Sequence, residues 1–315
     1  MPGTVALSQY SQSRNRLPFS NVFEKLVHRP LLALSIAWAL AADAPPGPLE
    51  TIHAGSYSQS APTARNAKIL NWNIDRGKHF AGIAAAIRET RPDLCIFQEV
   101  DLGARRTHGQ DVAQELAKTF GMNYAFAPEF RELGQSTAEG AAYHGQAILT
   151  SLPIRSSRIL RFTHQSGFWK PRPLLISSIP MLQRREGGRM ALVNELDHNG
   201  KALIVYNLHL ESRGTEHGRL EQIEEVLADA QRYPDDTAVV LAGDLNTMHR
   251  NSPVIARLGG AGYRSCFGDQ RVRTHIIIGA LDWVFVRGPL QCEGAEVRRD
   301  FHASDHFAIT AELKF

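Results

Sequence analysis

Along most of the chain, short apolar runs end abruptly in polar residues, the pattern of strands covered on both faces that deliver side chains to their exits. The clearest is Val239-Val240-Leu241-Ala242-Gly243-Asp244-Leu245-Asn246, bounded by Pro234-Asp235-Asp236 and a polar loop. Side chains at i and i+2 of a strand share a face, so Asp244 and Asn246 converge on one spot if strand geometry persists through Asn246. Similar runs occupy 68–74 with Asn73, 92–100 with Glu99, 145–150, 190–196, 202–210 with His209, and 281–286 with Asp282; near the end, Asp305 and His306 precede Phe307-Ala308-Ile309. Helical spacing appears at 80–87, after Asp111 (Val112, Leu116, Ala117, Phe120), and after Gly214 (Leu220, Ile223, Val226, Leu227). Asn199-Gly200 between two apolar runs predicts a tight antiparallel hairpin, since both residues tolerate positive φ. Residues 155–187 are less legible; Trp169, Pro171 and Pro173 point to an extended excursion over the surface. Helices interspersed with strands predict an α/β domain over 65–315, most simply two packed mixed sheets with helices outside.

The first 64 residues break this rhythm. A polar lead ending in Lys25, His28 and Arg29 is followed by an apolar run at 31–42 and then Asp43-Ala44-Pro45-Pro46-Gly47-Pro48. Basic flank, short apolar core and small residues make a signal-peptide pattern, too short to span a bilayer, which needs roughly 20 residues. Export to a periplasmic or secreted location is therefore expected, and a cytoplasmic location if the run is instead an amphipathic helix. Residues 43–65, rich in Pro, Ala, Ser and Gly, read as a linker.

Composition narrows the class only a little. The chain has 315 residues, is 43% hydrophobic and carries a formal charge of +3. That is enough for a sizeable core, and too mild a basicity to mark a nucleic-acid binder. Cys95, Cys266 and Cys292 lie far apart, so neither a zinc site nor a disulfide framework is indicated; at most one disulfide can form, and Cys95 reads as a buried thiol.

Asn73, Glu99, His209, Asp244, Asn246, Asp282, Asp305 and His306 all stand in or beside apolar runs, where an unpartnered polar group is costly. Singly, each has a structural explanation as turn former, cap or satisfied core histidine; eight together point to one site. Oxygen donors without cysteine suit a hard cation such as Mg²⁺ or Mn²⁺, and the histidines suit charge stabilisation or proton transfer.

The motifs Asn71-Trp72-Asn73, Gln98-Glu99-Val100-Asp101, Asn207-Leu208-His209-Leu210, Gly243-Asp244-Leu245-Asn246, Leu281-Asp282-Trp283 and Ser304-Asp305-His306 occur in this order. They resemble the endonuclease/exonuclease/phosphatase superfamily over residues 67–315. The resemblance implies a four-layer α/β sandwich and a divalent-metal phosphoesterase. Carried over motif by motif, it makes Glu99 the principal ligand of Mg²⁺ or Mn²⁺, helped by Asn73 and Asp305. Asp244 would align or deprotonate the attacking water, and Asn246 would hydrogen-bond a phosphoryl oxygen. His306, oriented by Asp282, would stabilise the phosphorane, with His209 as a second phosphate-binding histidine. The expected reaction is in-line attack of water on phosphorus.

Arg105, Arg106, Arg189 and Arg213 are weaker phosphate candidates, Tyr143 and His144 could line the site, and Phe162, Phe168 and Trp169 could form a substrate platform. The leading function is a phosphodiesterase acting as a monomer on a phosphodiester, nucleic acid being one candidate, with no stable protein partner implied. The alternatives are an esterase of lipid headgroups or small phosphate esters, and a binding module that has lost catalysis.

Overall fold

The computed structural model describes residues 47–59, 66–169, 185–248 and 251–315. The apolar run 31–42, residues 43–46 and 60–65 of the expected linker, Pro171 and Pro173 lie outside the described residues; the rest of that stretch is not a free linker, because His53–Gly55 in it pairs as a strand with 124–126. Two βαβ units form the centre of the fold, one in each sheet. In the first, β2 (Asn66–Arg76) runs through α1 (Phe80–Thr90) into the parallel β3 (Leu94–Leu102); in the second, β9 (Lys201–His209) runs through α3 (Glu216–Ala230) into the parallel β10 (Ala238–Asp244). Parallel neighbours need such a crossover, which is why a helical stretch separates each pair of apolar runs.

Around the first unit, β1 (His53–Gly55), β4 (Asn123–Glu132), β5 (Tyr143–Thr150), β14 (Ala308–Lys314) and β13 (Gln291–Arg298) complete the order β1-β4-β5-β3-β2-β14-β13, with β7 (Arg185–Gly187) beside β4. Around the second, β11 (Arg264–Ser265), β12 (Asp282–Arg287), β8 (Met190–His198) and β6 (Ile154–Arg161) give the order β11-β12-β10-β9-β8-β6. Both sheets are mixed, and β2 and β3 lie against β9 and β10. Helices cover the outer faces: α1 and α2 (Val112–Phe120) on the first sheet, α3 and α4 (Pro253–Gly260) on the second. This is the expected four-layer sandwich.

Alternation sorts β2 between layers. Leu70, Trp72 and Ile74 pack under α1 and α2, whereas Ile69 faces the second sheet. By the same period Asn71 and Asn73 face inward too. Asn71 joins a buried amide clasp between the sheets: Gln98 Nε2 donates to Asn71 Oδ1 (3.1 Å) and Asn207 Oδ1 (2.8 Å), while Asn207 Nδ2 donates to the carbonyls of Phe97 (2.9 Å) and Ala147 (3.0 Å). The hairpin forms as read, with Asn199 (φ 52°) and Gly200 (φ 82°) as its two-residue turn. Cys95 is a buried free thiol, and Cys266 is bonded to Cys292.

Candidate active site

Strand ends from both sheets meet at one edge of the sandwich. Across three adjacent strands of the second sheet, Asp282, Asp244 and His209 stand side by side, Asp244 pairing in register with each of the others. From the first sheet come Asn73 at the end of β2, Glu99 near the end of β3, and Asp305 and His306 just before β14. Gly243 makes the second-sheet row possible: a Cβ there would lie 1.9 Å from the Leu208 carbonyl oxygen, and its φ is 143°.

Asp244 is the centre of this arrangement. Its Oδ2 accepts from Asn73 Nδ2 (3.2 Å) and lies 3.6 Å from His209 Nε2 and 3.8 Å from His306 Nε2. Burial, opposed by the His306 charge and reinforced by Asp282, pushes its carboxyl up to about 6. His306 Nδ1 pairs with Asp282 Oδ2 at 2.8 Å. Burial works against the imidazolium, but Asp282 and Asp244 outweigh it and raise His306 to about 10. At neutral pH the site therefore holds a protonated His306 facing a carboxylate that can take a proton. His209 is the opposite case: burial and the nearby Arg189 hold it well below its ordinary value, so it is neutral.

Asp244 and Asn246 do meet, but not as the i, i+2 pattern predicts. The strand ends at Asp244, and Asn246 turns to φ 50°, its N–H bonding back to Asp244 Oδ1 at 2.9 Å. A turn closed by the aspartate, rather than a continuing strand, brings them together. Asn246 Nδ2 donates to the Leu210 carbonyl at 3.0 Å, which leaves its second amide hydrogen for another acceptor.

Glu99 sits where β3 breaks register between Phe97 and Val100, with φ 51°. Such bulges re-aim a side chain at functional edges. Burial would raise its carboxyl, but the Arg76 guanidinium (Nη1 to Oε2, 3.5 Å), with Arg185 behind it, holds it well below the usual carboxylate range. Asp305 is lowered by His275, whose Nε2 stands 3.6 Å from its carboxylate, while the Glu99 charge works in the opposite direction. Asp305 thus lies within electrostatic reach of Glu99.

The donor chemistry decides which cation fits. His275 and His306 lie near Asp305 in one cluster, and His306 lies near Asp244 and Asp282 in another. A histidine ligates through a free lone pair. His306 Nδ1 is taken by Asp282 at 2.8 Å, and its Nε2 faces Asp244 at 3.8 Å. His275 Nδ1 already accepts from the N–H groups of Ile277 (3.1 Å) and Ile278 (3.0 Å), so its proton sits on Nε2, facing Asp305. The sequence-predicted donors Glu99, Asn73 and Asp305 offer carboxylate and carboxamide oxygens, the chemistry that suits a hard cation of the Mg²⁺ or Mn²⁺ type.

Residues 70–306 match the family model described as Endonuclease/Exonuclease/phosphatase family. The chain belongs to that family. Members of the endonuclease/exonuclease/phosphatase family are generally hydrolases of phosphoester bonds and typically use a divalent metal. Similar solved structures include the human Nocturnin catalytic domain with bound sulfate anion, at 17% identity and TM-score 0.62, over 84% of this chain and 97% of that one. A second is the endonuclease/exonuclease/phosphatase from Beutenbergia cavernae DSM 12333, at 18% identity and TM-score 0.58, over 80% and 72% of the two chains. D. rerio TDP2 complexed with single strand DNA product follows at 19% and TM-score 0.53, over 79% and 99%. At these identities the likeness is one of fold. A comparison with curated proteins finds no match.

The secondary candidates divide. Arg106 is held by two bonds to Asp101 (2.6 and 2.7 Å) and one to Glu132 (3.2 Å), and Arg105 donates to the Gly134 carbonyl (3.1 Å). Arg213 lies over Phe168, and Phe162 belongs to the core. Trp169 is tied to Glu211 (2.9 Å) and stands beside Phe168 under Arg185 and Arg189. Tyr143 is half-buried at the start of β5, whereas His144 is buried against Asp101 (3.2 Å) within electrostatic reach of Glu99. Arg189 is buried with Glu129 (3.2 Å) and reaches Ser212 (3.3 Å). Sequence reasoning missed Glu129, whose Oε2 lies 3.6 Å from His209 Nδ1, and His275. Glu129 carried a usable signal, an acid inside the apolar stretch 124–130; His275, in a loop, carried none.

Proposed function

We propose that this chain is an exported, divalent-metal-dependent phosphodiesterase that hydrolyses P–O bonds by in-line attack of water. The observation that carries the reading is the Asp244 carboxylate, raised to about 6 and set between Asn73, His209 and a protonated His306. Glu99, Asn73 and Asp305 would hold Mg²⁺ or Mn²⁺, which supplies charge stabilisation to a phosphoryl oxygen when bound. Asp244 takes the proton of the attacking water through Oδ2. His306, oriented by Asp282, offers Nε2–H to the developing oxyanion, and neutral His209 adds a second donor. Asn246 offers its remaining amide hydrogen to the phosphoryl group.

Retention of all eight polar positions argues against a binding module. The disulfide supports export, because such bonds persist in oxidising compartments. A nucleic-acid substrate is supported by the fold likeness to TDP2, solved with a single strand DNA product. Exposed Met248, Ile276 and Ile277 on neighbouring loops favour a second reading, a lipid-headgroup ester. The test is a panel of plasmid, single-stranded DNA, RNA, sphingomyelin and inositol phosphates, run with Mg²⁺ or Mn²⁺ and in excess chelator. Hydrolysis of a phosphodiester only with the cation is expected; undiminished hydrolysis in chelator sinks the metal reading.

A further inference from the structure

The loop before β12 is fastened to the metal-type motif at several points. Ile276 N donates to the Asp305 carbonyl (3.0 Å), Phe307 N to the Thr274 carbonyl (2.7 Å), and Thr274 Oγ1 accepts from the N–H groups of Leu281 and Asp282 (both 2.9 Å). Within it His275 is buried, its ring edge-on to His306 at 4.8 Å between centroids. Its two backbone bonds at Nδ1 fix the tautomer, so Nε2–H can only donate, and Asp305 Oδ2 stands 3.6 Å away.

The other carboxylate oxygen is in a different position. Ser304 Oγ lies 3.4 Å from Asp305 Oδ1, yet its single hydrogen is aimed at the Asn73 carbonyl, at 2.7 Å. The hydroxyl also accepts from His306 N at 3.1 Å. Oδ2 thus faces a fixed donor 3.6 Å away, while Oδ1 is turned from it and is left for a cation.

We propose that His275 is a positioning residue that sets cation selectivity, by reserving one Asp305 oxygen and so restricting Asp305 to single-oxygen ligation. This rests on the reading of Glu99, Asn73 and Asp305 as the cation's ligands. Mg²⁺ demands a small, near-octahedral shell, whereas Ca²⁺ takes six to eight oxygens and readily uses both oxygens of one carboxylate. Holding back one oxygen keeps the shell small and disfavours the larger ion. The partner of a ligating group commonly controls metal affinity in this indirect way.

The experiment is calorimetric titration of the full chain with MgCl₂ and with CaCl₂, alongside melting temperatures. His275→Asn retains an oxygen able to accept the loop N–H groups, in the manner of an Asx turn, but is too short to reach Asp305. His275→Leu removes both functions, and His275→Ser serves in place of the asparagine variant should that be unstable. The expected result for His275→Asn is a loss of Mg²⁺ affinity of about 10–100-fold, with Ca²⁺ affinity kept or increased and melting near wild type. His275→Leu should show the same shift in cation preference and a lower melting temperature. Equal loss of both affinities, or no change in either, overturns the proposal. Absence of Mg²⁺ binding to the wild-type chain overturns the ligand assignment beneath it, a separate and recognisable failure.

Discussion

Under the proposed mechanism His306 and Asp244 carry opposite burdens at one phosphorus, and the direction of each pKa shift fixes how activity should depend on pH. Asp244 must be ionised to take a proton, so kcat/KM should fall as pH drops through about 6; His306 must be protonated, so it should fall again as pH rises through about 10. A pH profile of the free enzyme on its best substrate checks both limbs. His306→Ala should cost on the order of 10²–10³ in kcat with little change in KM. Asp282→Asn should cost less, because the imidazole stays but loses the partner at Nδ1; steady-state kinetics of both variants decide the order. These residues were legible because each interrupts an apolar run. Glu129 met the same criterion and was passed over, while His275 acts through backbone contacts that only the folded loop creates.

At the level of strands and helices, Gly243 is the most exposed to test. Any side chain there collides with the Leu208 carbonyl across the parallel β9–β10 pair. Gly243→Ala should cost on the order of 3 kcal/mol in denaturant unfolding, through steric strain at a positive φ, and displace Asp244 enough to remove activity. The buried strands, the hairpin and three helices were readable from their periodicity. β6 and β13 were not, because Arg-Ser-Ser-Arg-Ile-Leu-Arg and Gln-Cys-Glu-Gly-Ala-Glu-Val-Arg lie at sheet edges, with much of their length wet and polar. The Asp244–Asn246 turn escaped the strand rule for a related reason: a short polar side chain can close its own backbone turn where the ladder ends.

For the whole molecule, the Cys266–Cys292 bond joins the flank of the second sheet beside β11 to β13 at the edge of the first. Closing a loop with a sequence separation of 26 residues is worth about 3–4 kcal/mol in the chain-entropy account. Cys266→Ser should lower unfolding free energy by that amount, and wild-type protein in reductant should match it. Mature protein beginning near 42–44, by mass spectrometry of the secreted or periplasmic fraction, would accompany an oxidised bond; an intact start in cytoplasmic protein would refute export. The amide clasp of Asn71, Gln98 and Asn207 bears on the same assembly from inside. Two of its atoms, Asn71 Nδ2 and Gln98 Oε1, are buried without a hydrogen-bond partner among the described residues, but Asn207 Nδ2 satisfies the carbonyls of Phe97 and Ala147 where the β3–β5 register shifts. Replacing all three residues by leucine removes the two orphaned atoms but strips both carbonyls of their donor, so it should lower melting and kcat together. Oil slides on oil, whereas three amides fit in one alignment, so the clasp works as the key of a joint whose two halves each carry part of the catalytic edge.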